Sequence, residues 1–380
     1  MIREVTPART LPSNSKKILP DRWEVGSDLC WTRKLTPGKG FNTPWGRYAR
    51  YYGSGRDSLR SLVLHGMQTR DWKRLWIPSY FCQEVVGSIL TTGVDVKVYR
   101  SNPLNAGSLP LGRLKKGDVA LVVNYFGFVS SVQDLGDLRG TVELIEDHSH
   151  DLNSDWAQNS RADWCVASLR KTIPTPDGGV LWSPRKHTLP EPPPLTWEHY
   201  LAAKQKQTAL EMKSHYLDGN LDGKSNYLEC SKRAERVISD GHISGASPWA
   251  RSAVGVAPVD RWRLIRRSNY KVLAHALSEV RWLKVIQEQI NGGTSPFAMI
   301  LVFRSKEQAQ YVRQRLIQSN IYPAILWSLT APKIEGIDVE DISLSQRLLS
   351  IGCDARYDRS DMRRVADTLI KIGELPEQDK

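Results

Sequence analysis

Lys171 closes the tetrapeptide Ser168-Leu169-Arg170-Lys171, Asp177-Gly178-Gly179 follows it, and Glu146-Asp147 ends the apolar run Val142 to Ile145 one strand earlier. A lysine just past a strand can give its amine to an aldehyde as a Schiff base. An aspartate one strand upstream can keep a proton on a pyridine nitrogen. Only a protonated pyridine ring draws electrons strongly enough to stabilise a carbanion beside an imine, so the chemistry needs both residues. Lys171 and Asp147 therefore meet the requirements of a pyridoxal phosphate (PLP) site. Singly the features are weak, since Ser-x-x-Lys is frequent by chance and an Asp after a strand is an ordinary helix N-cap.

The elements that must position this pair are legible as an alternation of strand-like and helical runs. Tyr52-Gly53-Ser54-Gly55-Arg56 is a glycine turn opening a helix whose apolar positions Leu59, Leu62 and Val63 share a face. Strands are expected at Leu75 to Pro78, Val94 to Tyr99, Val119 to Asn124, Val142 to Ile145, Trp164 to Ser168 and Val180 to Trp182, with a helix at Glu84 to Leu90. Such an order implies an α/β unit with a mostly parallel sheet, whose sites gather at strand ends. After the Pro-rich Leu189 to Pro194, helices are expected at Trp197 to Leu217 and Asp260 to Leu277. The C-terminal part then reads as a small α+β domain: a strand at Phe297 to Phe303, a helix at Lys306 to Ser319, a strand at Leu348 to Ile351 and a helix at Ser360 to Ile372. Residues 1–44, rich in Pro, Ser, Lys and Arg, read as an irregular N-terminal arm, with 45–250 as the large domain and 251–380 as the small one.

With 380 residues, 40% of them hydrophobic, the chain is long enough for a large and a small core. No apolar run approaches a bilayer span and Met1-Ile2-Arg3-Glu4-Val5 lacks a secretory h-region, so the cytoplasm is the expected location. Cys30, Cys82, Cys165, Cys230 and Cys353 show no Cys-x-x-Cys spacing, which indicates neither a zinc site nor a disulfide framework. A net charge of +12 raises nucleic-acid binding as an alternative. The basic residues are dispersed, with Arg261, Arg263, Arg266 and Arg267 as one group, and read as a solvated surface, or secondarily as attracting an acidic substrate or the cofactor phosphate, rather than as a nucleic-acid tract.

In order along the chain, Gly53-Ser54-Gly55, Pro78-Ser79-Tyr80-Phe81, Asn124-Tyr125-Phe126-Gly127, Glu146-Asp147-His148-Ser149-His150, Lys171 and Asp177-Gly178-Gly179 resemble the fold type I PLP enzymes. Among these the chain looks most like the DegT/DnrJ/EryC1/StrS aminotransferases of amino-sugar biosynthesis. The resemblance covers residues 45 to 375 and rests on motif order. It implies a three-layer large domain with a seven-stranded sheet, a small C-terminal domain, and a homodimer with sites near the subunit interface. It also implies a small-molecule amino donor and a keto acceptor, for which a nucleotide-linked keto sugar is one class. Another PLP reaction, such as decarboxylation or elimination, and a non-catalytic PLP-fold protein stay open as alternatives.

The resemblance assigns residues one by one. Ser54, Gly55 and Arg56 fall on the turn that binds the cofactor phosphate, and free amides at a helix N-terminus suit an anion. Arg56 stands where a small hydroxyl residue is usual, and pairs either with that phosphate or with a carboxylate such as Asp57. Phe81, or its neighbour Tyr80, would cover the pyridine ring. Ser168 would reach the phosphate. His150 stands where glutamine is common and would donate to the cofactor's phenolic oxygen, with His148 as a lesser candidate for ring contact. His148, His150 and Asp151 also look like metal ligands, a reading set aside because no fourth ligand accompanies them. The loop Ile243 to Arg251 corresponds to the one that reaches a partner subunit, through Ser247 and Arg251, and Trp23, Trp31 and Trp249 are expected either exposed at that interface or packed within their own chain.

Overall fold

A computed structural model describes residues 22–105, 109–129, 142–219 and 223–374, so residues 1–21 of the expected arm lie outside the described residues. In chain order the elements are β1 (Val25–Gly26), β2 (Ala49–Tyr52), α1 (Gly55–Thr69), β3 (Arg74–Pro78), α2 (Gln83–Leu90), β4 (Asp95–Tyr99), β5 (Asp118–Val123) and β6 (Glu143–Asp147). Then come α3 (Asp155–Gln158), β7 (Trp164–Ser168), β8 (Gly179–Trp182), α4 (Trp197–Leu217), α5 (Lys224–Asp240), α6 (Pro248–Val256) and α7 (Val259–Ala276). The C-terminal part holds β9 (Lys284–Val285), β10 (Met299–Val302), α8 (Lys306–Gln318), β11 (Ile321–Tyr322), α9 (Val339–Gln346), β12 (Leu348–Ile351) and α10 (Arg359–Glu374).

The strands β2, β8, β7, β6, β5, β3 and β4 form one seven-stranded sheet in that spatial order. Pairing is parallel from β7 through β6, β5 and β3 to β4, and only β8 runs against its neighbours. The period of two along these strands divides the interior. Leu75, Ile77, Val119, Leu121, Ile145, Val166 and Leu181 face one core with Leu59, Leu62 and Val63 of α1 and Val86 and Ile89 of α2. The alternate residues Trp76, Ala120, Leu144, Cys165, Ala167, Val180 and Trp182 face a second core with Ala250, Ala253 and Val254 of α6 and Trp262 of α7. Burial on both faces is why these strands read as continuous apolar runs, and the result is the expected three-layer α/β arrangement. A smaller antiparallel sheet, β12-β10-β9, packs with α7, α8 and α10 as an α+β unit.

One feature departs from the sequence reading. Residues 22–44 are not all irregular: Val25 and Gly26 pair in parallel with Ile321 and Tyr322, and Val25, Cys30 and Leu35 are buried. Of the two readings of Trp23, Trp31 and Trp249, packing in their own chain is the one seen, all three being half-buried. Trp23 donates its indole N–H to Asp361 (2.8 Å), Trp31 meets Trp262 edge-on at 5.7 Å, and Trp249 stacks on Tyr200 at 5.6 Å. The exposed ring is Trp197, 66% accessible and stacked on the other side of Tyr200. Among the described residues, no helix is long and apolar enough to cross a membrane.

Candidate active site

Lys171 is carried by a short 3-10 turn, Leu169–Lys171, that starts where β7 ends. The turn is fixed from below, because Leu169 N–H donates to Gly178 O (3.0 Å) and Gly178 N–H donates in turn to Gly53 O (2.8 Å). The pair Gly178-Gly179 is required here. Gly178 has φ +112°, a conformation that side chains disfavour, and a Cβ on Gly179 would stand 2.2 Å from Ser54 O. Removing that Cβ lets β8 lie against the start of α1, which brings the glycine turn within reach of the lysine.

Ser54, Gly55, Arg56, Phe81, Asp147, Ser168 and Lys171 line one cavity. Ser54 caps α1 by accepting from Asp57 N–H (3.1 Å), while the amides of Gly55 and Arg56 meet no partner among the described residues. A Cβ at Gly55 would come within 3.1 Å of Ser168 Cβ, so the helix start and the β7 end close on one another. Asp147 accepts from Ser149 N–H (2.8 Å), and Ser149 Oγ accepts from Ser168 N–H (2.9 Å), which ties β6 to β7 at their C-terminal ends. Ser149, Cys82, Arg170 and Trp327 also line this cavity and carry no signal in the sequence beyond nearness to the motifs. Arg56 donates to Ser239 Oγ (2.9 Å) and makes no ion pair with Asp57. Phe81 faces the cavity, whereas Tyr80 turns its hydroxyl to Leu326 O (3.0 Å).

Strand parity separates the remaining polar residues. Asp147 shares a sheet face with Ile145 and α1, and Glu146 and His148 take the opposite face, where His148 Nε2 lies 2.9 Å from Glu146 and its ring packs on Trp156 and Trp182. His148 is therefore remote from the cavity. Asp151 is bound at two points by Arg263 (2.8 and 3.0 Å), so His148, His150 and Asp151 do not form a common metal site.

His150 approaches Lys171 from behind the cavity wall, with Nε2 3.2 Å from the amine. Phe126 donates its backbone N–H to Nδ1 (3.1 Å), which makes Nδ1 an acceptor and places the imidazole proton on Nε2. The Nε2–H then has the Lys171 amine as its acceptor, and an amine can accept only when it is neutral. Burial acts in the same direction, pushing the Lys171 amine below the ordinary lysine value against the pull of the Asp147 carboxylate. His150 is itself held well below the usual imidazole range, chiefly by burial. The ring is clamped between Phe126 (5.4 Å) and Trp327 (5.1 Å), both at positive φ, 52° and 61°. Such backbone costs energy for an aromatic residue, and here it aims the Phe126 N–H at the histidine.

Lys171 and Arg170 also line a second cavity of about 270 Å³ on the other side, formed with Arg266, Phe297, Leu326 and Arg356. The lysine thus stands on a wall between two chambers. One holds the unpaired helix-end amides, Arg56 and Asp147, and the other holds Arg266 and Arg356 together with Asp28 and Asp354.

Solved structures with this architecture include Helicobacter pylori PseC, an aminotransferase involved in the biosynthesis of pseudoaminic acid, at 13% identity with a TM-score of 0.58 over 85% of this chain and 86% of that one. The chain has an aminotransferase fold. It is similar also to the aminotransferase TlmJ from Streptoalloteichus hindustanus (15% identity, TM-score 0.56, 88% and 92% covered). A DegT DnrJ EryC1 StrS aminotransferase from Brucella abortus matches at 13% identity and a TM-score of 0.54, with 86% of each chain covered. No protein-family model matches the sequence, and neither does any curated protein. At these identities the aminotransferase likeness is one of fold, and the chemistry rests on the site itself.

The residues present fit PLP. The unpaired amides of Gly55 and Arg56 suit its phosphate, Phe81 offers a ring face, Asp147 stands at a strand end, and Lys171 offers a neutral amine.

Proposed function

We propose that this protein is a PLP-dependent aminotransferase that moves an amino group from an amino acid to a keto acceptor, the acceptor being a nucleotide-linked keto sugar. The observation that carries the reading is Lys171, its amine 3.2 Å from His150 Nε2, on the wall between the two chambers. When bound, PLP supplies an electron sink for the carbanion left as a proton departs from the substrate carbon. The chain's residues have distinct tasks around it. Ser54, Gly55, Arg56 and Ser168 hold the phosphate, Phe81 covers one ring face, and the Asp147 carboxylate keeps the pyridine nitrogen protonated. Lys171 would attach the cofactor through its amine and, with that amine free, would carry a proton at Nζ as general base and acid. His150 keeps that amine unprotonated and oriented. The active form is a homodimer.

The test is covalent labelling. Protein incubated with pyridoxal phosphate should show a visible absorbance band that borohydride abolishes, with the reduced adduct on Lys171 by mass spectrometry. Lys171→Ala should lose the adduct and keep its circular dichroism. An adduct on another lysine would overturn the assignment.

A further inference from the structure

On the sheet face away from the cofactor cavity, Glu146 is a buried carboxylate without a lysine or arginine beside it. It is 2% exposed, and a carboxylate taken this far out of water ordinarily faces a basic side chain or a metal ion. Among the described residues its polar neighbours are the Ser160 hydroxyl, which donates to Oε2 (2.6 Å), His148 Nε2 (2.9 Å) and the Cys165 thiol (3.6 Å), and no lysine or arginine pairs with it.

Strand geometry brings these groups together. Glu146 and His148 are two residues apart and so share a face, and Cys165 of β7 is the register partner of Glu146. One ligand atom from each of the three lies within 4.8 Å of the others, and His148 and Cys165 are fully buried. A tetrahedral ion bonded at about 2.0–2.3 Å sets its ligand atoms about 3.3–3.7 Å apart, so small side-chain movements would close this group around one. Ser160 Oγ, 3.4 Å from Cys165 Sγ and half-buried, is the neighbour at the remaining corner. The two histidines of this segment differ in a way that matters here. The Phe126 N–H pins the His150 proton to Nε2, whereas His148 Nδ1 has no hydrogen-bond partner, so the His148 proton is free to reside on Nδ1 and leave the Nε2 lone pair facing Glu146 and Cys165.

We propose that Glu146, His148 and Cys165 bind a zinc ion, with the Ser160 hydroxyl as the fourth ligand. One oxygen, one nitrogen and one sulfur donor suit the borderline character of zinc, whereas magnesium and calcium take oxygen alone. Without metal, burial and next the Glu146 charge hold Cys165 as a thiol, so binding releases the thiol proton to solvent. The carboxylate and the thiolate then balance the charge of the ion, which leaves a neutral unit in the interior. Asp147 lies between two of the ligands, so the ion would brace the strand end that presents Asp147 to the cofactor cavity. The ligands come from neighbouring strands, which is why no Cys-x-x-Cys spacing announces them. The site does not depend on the aminotransferase reading.

The experiment strips the full chain with a chelator and titrates it by calorimetry with zinc and, separately, with magnesium, in wild type, Cys165→Ser, His148→Gln and, as a control, Cys230→Ser on α5. Wild type and C230S should take up about one zinc per chain and melt higher with it, as binding to the folded state requires. C165S and H148Q should bind zinc at least about 100-fold more weakly, since loss of a partner outside the ligand shell alone costs 10- to 100-fold, and their melting temperatures should not respond to it. Cobalt added to wild type reads the ligands without relying on any variant to fold: a thiolate-to-cobalt charge-transfer band and the visible bands of a tetrahedral site are expected. Absence of zinc uptake by wild type, equal zinc affinity in wild type and C165S, a cobalt complex without the thiolate band, or preference for magnesium would each overturn the proposal. Borohydride labelling of Lys171 separates the two readings. A zinc-loaded protein whose Lys171 never takes the cofactor would sink the PLP assignment and leave the metal site standing.

Discussion

At the scale of single residues, the reactivity of Lys171 depends on a proton placed by its neighbour's backbone. Because Phe126 N–H occupies His150 Nδ1, the histidine has only a donor to offer the lysine. Removing that donor with His150→Phe should let the amine take up a proton more readily. Labelling of Lys171 by pyridoxal phosphate at neutral pH should then drop by about tenfold, the worth of one hydrogen bond, and its pH profile should move upward. His150→Gln should retain the profile, because an amide can accept from Phe126 and donate to the amine at once. Equal profiles in wild type and His150→Phe would show that burial alone sets the amine. The burial that depresses the lysine also fixes the direction of this dependence: labelling is lost as pH falls and the amine takes up its proton. The sequence pointed to Lys171, Asp147 and the glycine turn because their types are chemically uncommon in combination. It placed Arg266 in a basic group read as solvated or as attracting an acidic substrate, whereas Trp262, Arg266, Asn269 and Leu273 fall on one buried helical face by their spacing of three and four.

At the scale of elements, the site depends on how closely β8 passes α1. Gly179→Ala would drive a methyl group into Ser54 O at 2.2 Å and Ser58 Oγ at 2.5 Å. Overpacking of this kind costs about 1–3 kcal/mol, so the variant should melt lower. It should also take up pyridoxal phosphate more weakly, because the displaced helix start carries the unpaired amides; unchanged uptake would show that the amides do not hold the phosphate. A second brace joins the same region. Asp177, fully buried, accepts from Ser247 Oγ (2.5 Å) and Ser247 N–H (3.1 Å) and lies 2.9 Å from His199 Nε2. Ser247 is thereby spent inside its own chain, which removes it from the part expected of it in a partner's site, while Arg251 remains exposed. The strands β3 to β8 and the helices α7, α8 and α10 were legible from their apolar patterning, and α4 from its long run of helix-forming residues, since its buried face carries His199, Lys206 and Lys213 beside alanines. The helix α5 was missed because its run Lys224–Asp240 is mostly polar, although Tyr227, Ala234 and Ile238 are buried where it packs along α4.

At the scale of the molecule, the proposed dimer has a specific surface to use. Trp197 and Leu201, 66% and 45% exposed, sit on α4 beside the stacked rings of Tyr200 and Trp249, and aromatic residues of this kind are enriched at interfaces. Light scattering should give twice the 43.0 kDa of one chain. Full activity in a particle of one chain's mass would mean that each subunit completes its own site.

The pairing of β1 with β11 has a consequence for how the chain is made. Val25 and Gly26 find their parallel partners only at Ile321 and Tyr322. A chain emerging from the ribosome in order cannot form this sheet until nearly all of it has been synthesised, whereas α1 and β3 to β8 can associate much earlier. Contacts so distant in sequence carry the largest loop-closure entropy and form late. The buried Val25 must therefore wait through most of translation without its final cover, and the segment that carries β1 is among the last parts of the fold to be seated.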